Sequence, residues 1–180
     1  MSKETEYEIK KTDCEFNYQE ELTKFLDSFD GDFDNDHINK ITLWKVNRFP
    51  RLPEDVMKGF ASIKDAKLPN NKEEITDFLL RLLDCHGVQL PMASTYLRFC
   101  NPLTFQLIDQ RVYRLIYGKE MKLPYNTSRK NKLEMIEIYF QYLNDLANAC
   151  EKKGVPFNIA DRVFYMADKR INKASKLKNY

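Results

Sequence analysis

A chain of 180 residues suits one domain, or one compact domain of two lobes, and its 43% hydrophobic residues can bury a sizeable core. With 5 Gly and 7 Pro it is neither a turn-rich all-β chain nor a disordered one. A net charge of +2 removes bulk charge as an argument for nucleic acid.

Residues 1 to 15 form a polar leader. Leu22, Phe25, Leu26 and Phe29 then recur at helical spacing, which predicts a helix from Tyr18 to Phe29. Acids at Asp30, Asp32, Asp34 and Asp36 break it. Ile38, Ile41 and Trp44 share a second helical face, so Trp44 is expected in the core. Pro50 and Pro53 bracket a turn, and Pro53-Glu54-Asp55 opens a helix through Val56, Phe60 and Ile63. After a loop at Lys67 to Asn71, Glu73 to Leu83 is strongly amphipathic, with Ile75, Phe78, Leu79, Leu82 and Leu83 inward. A helix follows over Pro91 to Phe99, then one capped by Asp109 and ended by Gly118. The loop Lys119 to Ser128 precedes a long helix with Ile136, Phe140, Leu143, Ala147 and Cys150 on one face, closed by Gly154 and Pro156. A last helix runs from about Asn158 past Ile171. No strand alternation extends beyond a few residues, so the class is all-α, a single helical domain over residues 1 to 180.

Cys14, Cys85, Cys100 and Cys150 share no metal-ligand spacing. The start, MSKETEYEIKK, has no apolar signal core, and no run reaches membrane-spanning length. The reading is a cytoplasmic protein with free thiols, no membrane partner, no cofactor and no metal. The alternating acids do not make a calcium loop. A loop begun at Asp30 or Asp32 puts Asn35 or His37 where Gly is expected, and Ile41 or Leu43 where the closing acid belongs. Trp44, Lys45, Asn47, Arg48 and Arg51 mix cations with an aromatic, a mixture that can grip phosphate, although the register of Trp44 favours packing. Lys169, Arg170, Lys173, Lys176 and Lys178, with no acid after Asp168, form a basic end. Such an end can touch phosphates or simply suit a helix dipole.

The stretch from Leu79 to Gly118 points most directly to chemistry. In Cys85-His86-Gly87-Val88-Gln89-Leu90-Pro91, Gly87 permits a tight reversal through positive φ. The helix opening near Pro91 presents unsatisfied N–H groups, a natural seat for a phosphate; a plain helix–helix turn is the competing reading. Asp109, after Phe105-Gln106-Leu107-Ile108, reads first as an N-cap, a role that does not prevent it from facing a ligand. Arg98 and Arg111 flank these residues as candidate phosphate contacts, or as partners of nearby acids. Tyr96, Phe99, Phe105 and Tyr113 are candidates for a base pocket and, at helical spacing, for core. His86 and His37 have no assigned chemistry.

Gly87-Val88-Gln89-Leu90-Pro91-Met92-Ala93-Ser94, followed by Phe105-Gln106-Leu107-Ile108-Asp109 and Arg111-Val112, resembles the helix-hairpin-helix DNA glycosylase superfamily. The resemblance covers about Leu79 to Gly118, under a quarter of the chain. It implies two helical lobes, a double-stranded DNA partner and base flipping. It also implies Asp109 as the catalytic acid, and Gly87, Val88, Gln89 and Pro91 as the phosphate-binding hairpin. Pro91 stands where the bifunctional branch carries its catalytic lysine, so the resemblance implies a monofunctional enzyme without a Schiff-base step. Gln89 replaces the second hairpin glycine, His86 replaces the usual proline, and the cysteine cluster of some members is missing. The alternative is a non-catalytic helix-hairpin-helix module that binds DNA or a protein.

Overall fold

The structure, a computed structural model, describes residues 19–46, 50, 52–125, 128–175 and 177. Cys14, Tyr18, Asn47, Arg48, Arg51, Lys176 and Lys178 lie outside the described residues. The described residues form eight α-helices and one 3-10 turn, with no strand, as the all-α reading expects. None of these helices is long and apolar enough to cross a membrane. The chain divides into two compact units, residues 1–49 and residues 50–180.

In the first unit α1 (Glu20–Asp27) pairs with α2 (Asn35–Lys45). The acidic run has a local role at its end. Asp34 caps α2, accepting the backbone N–H of His37 at 2.8 Å and lying 2.6 Å from the His37 ring nitrogen Nδ1. These bonds, the backbone one first, hold the Asp34 carboxyl below the usual carboxylate range. Trp44 is half-buried, donating its indole N–H to Thr23 Oγ1 at 2.9 Å. Its expected companion Ile38 is 52% exposed, and no residue of α2 is buried. Among the described residues, Trp44 thus serves the contact of α1 with α2 and is half-buried rather than fully enclosed.

The second unit carries the core. It comprises α3 (Glu54–Ile63), α4 (Lys72–Asp84), α5 (Leu90–Cys100), α6 (Gln110–Tyr117), α7 (Arg129–Lys153), the 3-10 turn Phe157–Ile159 and α8 (Ala160–Ile171). Ile75, Phe78, Leu79, Leu82 and Leu83 of α4 are all buried, as their spacing predicts. They face α7, whose 25 residues span about 37 Å at 1.5 Å per residue. The buried face of α7 is wider than its predicted stripe. Met135, Tyr139, Tyr142 and Leu146 join Ile136, Leu143 and Cys150, while Ala147 is exposed. The two tyrosines escape an apolar reading because each buries a ring and bonds its hydroxyl to backbone. The helix ends follow local chemistry: Ser128 caps α7, and Gly118 and Gly154 close α6 and α7 at φ 66° and 64°. Several bounds move slightly. α5 runs from Leu90 to Cys100, α8 ends at Ile171, and α8 begins at Ala160 because residues 157–159 form a tighter 3-10 turn after Pro156.

Gly59 sets how closely α3 approaches α4. A Cβ there would lie 2.5 Å from Cε2 of the fully buried Phe78 ring. Gly59→Ala gains about 1 kcal/mol of helix propensity, but overpacking against a ring that cannot retreat costs up to about 3 kcal/mol. The expected net result is a loss of about 1–2 kcal/mol, seen as a lower urea midpoint at unchanged m. A midpoint at or above wild type would show that Phe78 yields.

Candidate functional site

The turn between α4 and α5 reverses at Gly87, which adopts φ 78° with nothing within 4 Å of a Cβ placed there. The Val88 N–H donates to the Cys85 carbonyl at 3.1 Å, so Gly87 takes the third place of a four-residue turn, at a positive φ that glycine adopts without strain. The Val88 side chain is buried and pins the turn to the core, while His86, Gly87, Gln89 and Pro91 are exposed. Gln89 is the N-cap residue of α5 with φ −110°, so its place does not demand a glycine. No side chain caps the first turn of α5, and Pro91 lies within it. Backbone groups at such a helix start point outward, and the local field favours an anion.

Asp109 is the N-cap of α6. Its Oδ1 accepts the N–H groups of Arg111 at 2.7 Å and Val112 at 3.3 Å. It is half-buried. The same residue lines a pocket of about 450 Å³ with Leu107, Asp161, Arg162, Tyr165 and Met166. No residue of the Gly87–Pro91 turn lines that pocket.

The extended segment leading into Asp109 is fastened on several sides. Tyr139 of α7 donates its hydroxyl to the Gln106 carbonyl at 2.8 Å, and Tyr142 donates to the Leu107 carbonyl at 3.0 Å. Burial raises both tyrosine hydroxyls well above their ordinary range, so both stay protonated as donors. The Gln106 side chain donates to the Pro102 carbonyl at 3.0 Å and accepts the Asp161 N–H at 3.2 Å. Ser94 ties this segment to the start of α5. Its hydroxyl donates to the Pro91 carbonyl at 2.8 Å and accepts the Ile108 N–H at 3.0 Å. One side chain thus joins the first turn of α5 to the residue before Asp109. A buried segment outside secondary structure needs partners for its backbone groups, and these residues supply them.

The two candidate arginines turn inward. Arg98 is buried, with Nε 3.0 Å from Asp161 Oδ2 and Nη2 3.3 Å from the Asn158 carbonyl. Of the two roles open to Arg98, a phosphate contact or an acid's partner, the second is found: its guanidinium pairs with the buried Asp161. Arg111 is half-buried, 3.4 Å from Asp168 Oδ2, and its guanidinium lies 5.6 Å from the centre of the Tyr165 ring. It acts in the contact of α6 with α8, again as the partner of an acid. Among the candidate aromatics, Phe105 is fully buried, and Tyr96 and Tyr113 pack edge-on to Phe60 and against Tyr117. Phe99 is 68% exposed, with the Arg98 guanidinium 4.9 Å from its ring centre. None of them reaches the Asp109 pocket, whose aromatic is Tyr165. No signal in the sequence marks Tyr165, because it comes to Asp109 only through the packing of α8 on α6.

Asp161, which lines this pocket, is the partner of the buried Arg98. Arg98→Met leaves a buried carboxylate without its counter-charge and is expected to cost about 3–5 kcal/mol. Adding Asp161→Leu is expected to recover most of that loss, because two charges then leave the interior together. Chemical denaturation of both variants checks this; a double variant no more stable than Arg98→Met alone would contradict it.

Chemically, the pocket offers a carboxylate at its edge, an aromatic ring, a thioether and one exposed cation, Arg162. Asp161 contributes little net charge because Arg98 meets it. Such a set can receive a planar, largely apolar group and place one acid against it. Compared with protein-family models, curated proteins and solved structures, the chain gives no match.

Proposed function

We propose that the chain is a monofunctional DNA glycosylase of helix-hairpin-helix type, hydrolysing the N-glycosidic bond of a damaged or modified base in double-stranded DNA. The observation that carries this reading is Asp109: a helix cap that also lines a pocket, on a segment tied by Ser94 to the helix after the Gly87 turn. A plain cap needs no such pocket or anchoring.

In the proposed reaction the target nucleotide leaves the stack, since its glycosidic bond is inaccessible within it. The bond from C1′ to the base nitrogen breaks, and the base departs with the electron pair. Asp109 stabilises the cationic sugar and accepts a proton from the water that attacks C1′. The departed base then takes up that proton, which restores the carboxylate, and the products are a free base and an abasic site. Pro91 has no amine to attack C1′, so no lyase step accompanies base release at that position. The exposed turn at Gly87, Gln89 and Pro91 is the proposed seat of a backbone phosphate, which positions the duplex without reading its sequence.

The test incubates the full chain with duplexes carrying uracil, hypoxanthine, oxidised or alkylated bases, followed by alkali. Strand breaks that need the alkali step and disappear with Asp109→Asn are expected; intact strands throughout the panel would refute the reading. One observation favours a second reading, a non-catalytic DNA-binding module: the turn residues line no part of the Asp109 pocket. That module would bind duplex in a salt-dependent way and release no base.

A further inference from the structure

The helix facing Asp109 across its pocket has two unlike sides. α8 contains two acids, Asp161 and Asp168, and both are buried and paired, with Arg98 and with Arg111 and Arg114. Its outward side keeps only cations and apolar groups. Arg162, Met166 and Lys169 follow one another at intervals of four and three, so they form one stripe along the axis, with Arg170 beside it and Lys173 in the turn just after the helix. All five are exposed. Among the described residues none of the four cations forms an ion pair; Lys169 lies 5.7 Å from the centre of the Tyr165 ring.

A helix dipole accounts for Lys169 and Arg170, which occupy the last turn of α8. It does not account for Arg162, which stands in the first turn, where a cation is disfavoured. Arg162 and Met166 also line the Asp109 pocket, so the stripe begins at the pocket and runs away from it. From Arg162 to Arg170 it extends roughly 12 Å at 1.5 Å per residue, which matches about three to four base steps at 3.4 Å each, with Lys173 beyond the helix end.

We infer that this stripe of α8, with Lys173 in the turn after it, is a backbone-phosphate contact surface for duplex DNA, laying one strand along Arg162, Lys169, Arg170 and Lys173 so that it arrives at the Asp109 pocket. The inference rests on the proposed duplex substrate. It moves the cationic contacts from Arg98 and Arg111, which face inward, to four side chains that face out.

The test is the anisotropy of an unmodified, labelled duplex titrated with the full chain at several NaCl concentrations. Four phosphate contacts give a slope of log K against log salt of about −3.6, so wild type should weaken roughly 150-fold between 50 and 200 mM. The variant Arg162→Ala/Lys169→Ala/Arg170→Ala/Lys173→Ala should weaken less than about 5-fold over that range and bind far more weakly at 50 mM. A control with Lys58→Ala/Lys64→Ala/Lys122→Ala/Lys130→Ala removes the same charge from other exposed positions and should keep the wild-type slope. The inference fails if the two variants behave alike, if wild type does not bind duplex at 50 mM NaCl, or if poly-glutamate competes as well as duplex, which would indicate an acidic protein partner. Base release is scored separately. Stripe-dependent binding without base release from any lesion sinks the glycosylase reading alone. Base release with an unchanged salt slope in the stripe variant sinks this inference alone.

Discussion

Asp109→Asn is expected to lower base release by about 100-fold or more while the protein stays folded. The asparagine side-chain oxygen can still accept the Arg111 and Val112 N–H groups that Asp109 Oδ1 now accepts at 2.7 and 3.3 Å. Asn is as good an N-cap as Asp, so the stability change should stay within a few tenths of a kcal/mol. What the substitution removes is the negative charge that would stabilise a sugar cation and accept a proton from water. Asp109→Ala removes both functions. It should lose base release equally and cost about 1 kcal/mol of stability as well. The pair separates chemistry from capping. Single-turnover base release and thermal melts, measured together, check it. Undiminished release by Asp109→Asn would make Asp109 a cap and nothing more.

Asp168→Ala is expected to cost about 3–5 kcal/mol of stability. The carboxylate is fully buried, with Arg114 Nε 3.0 Å from Oδ1 and Nη2 2.7 Å from Oδ2, a two-point pairing. Asn172 donates to Oδ1 at 2.7 Å, and Arg111 approaches Oδ2 at 3.4 Å. Removing the acid leaves two guanidinium groups facing each other where α6 packs on α8. Asp168 also gives the fold a pH dependence. Burial pushes its carboxyl upward, but the hydrogen bonds from Arg114 and Asn172 and the charge of Arg114 outweigh burial and hold it below the usual range. A carboxyl depressed by folding stabilises fully above its unfolded value, about 3.9. That contribution fades as the pH falls through the lower, folded value. Stability should therefore drop below about pH 4 in wild type, and Asp168→Asn should show a shallower acid limb. Urea unfolding at several pH values reads this directly; identical acid limbs would exclude Asp168 as a source of the dependence. Because Asp168 holds α8 against α6, its loss should also disturb the wall formed by Tyr165 and Met166 around Asp109.

The helices and their ends were legible in the sequence because both depend on near neighbours. The α4 face of Ile75, Phe78, Leu79, Leu82 and Leu83 is a pattern of 3.6-residue spacing. Gly87, Gly118 and Gly154 mark positive φ because glycine alone adopts it without strain. Asp109 announces a cap because its side chain reaches N–H groups two and three residues on. The fate of the arginines was not legible. Arg98 meets Asp161 across 63 residues and Arg114 meets Asp168 across 54, and only the packing of α8 shows which charges are consumed inside and which remain outside. Tyr139, Tyr142, Gln106 and Ser94 read as ordinary polar or aromatic positions, yet they fasten the segment before Asp109. The sequence by itself determined the all-α class, the turn at Gly87 and the cap at Asp109, since local sterics and periodicity set those features. The tertiary structure alone decided that Asp109 meets a pocket and that α8 shows cations to solvent, since both require distant segments to come together.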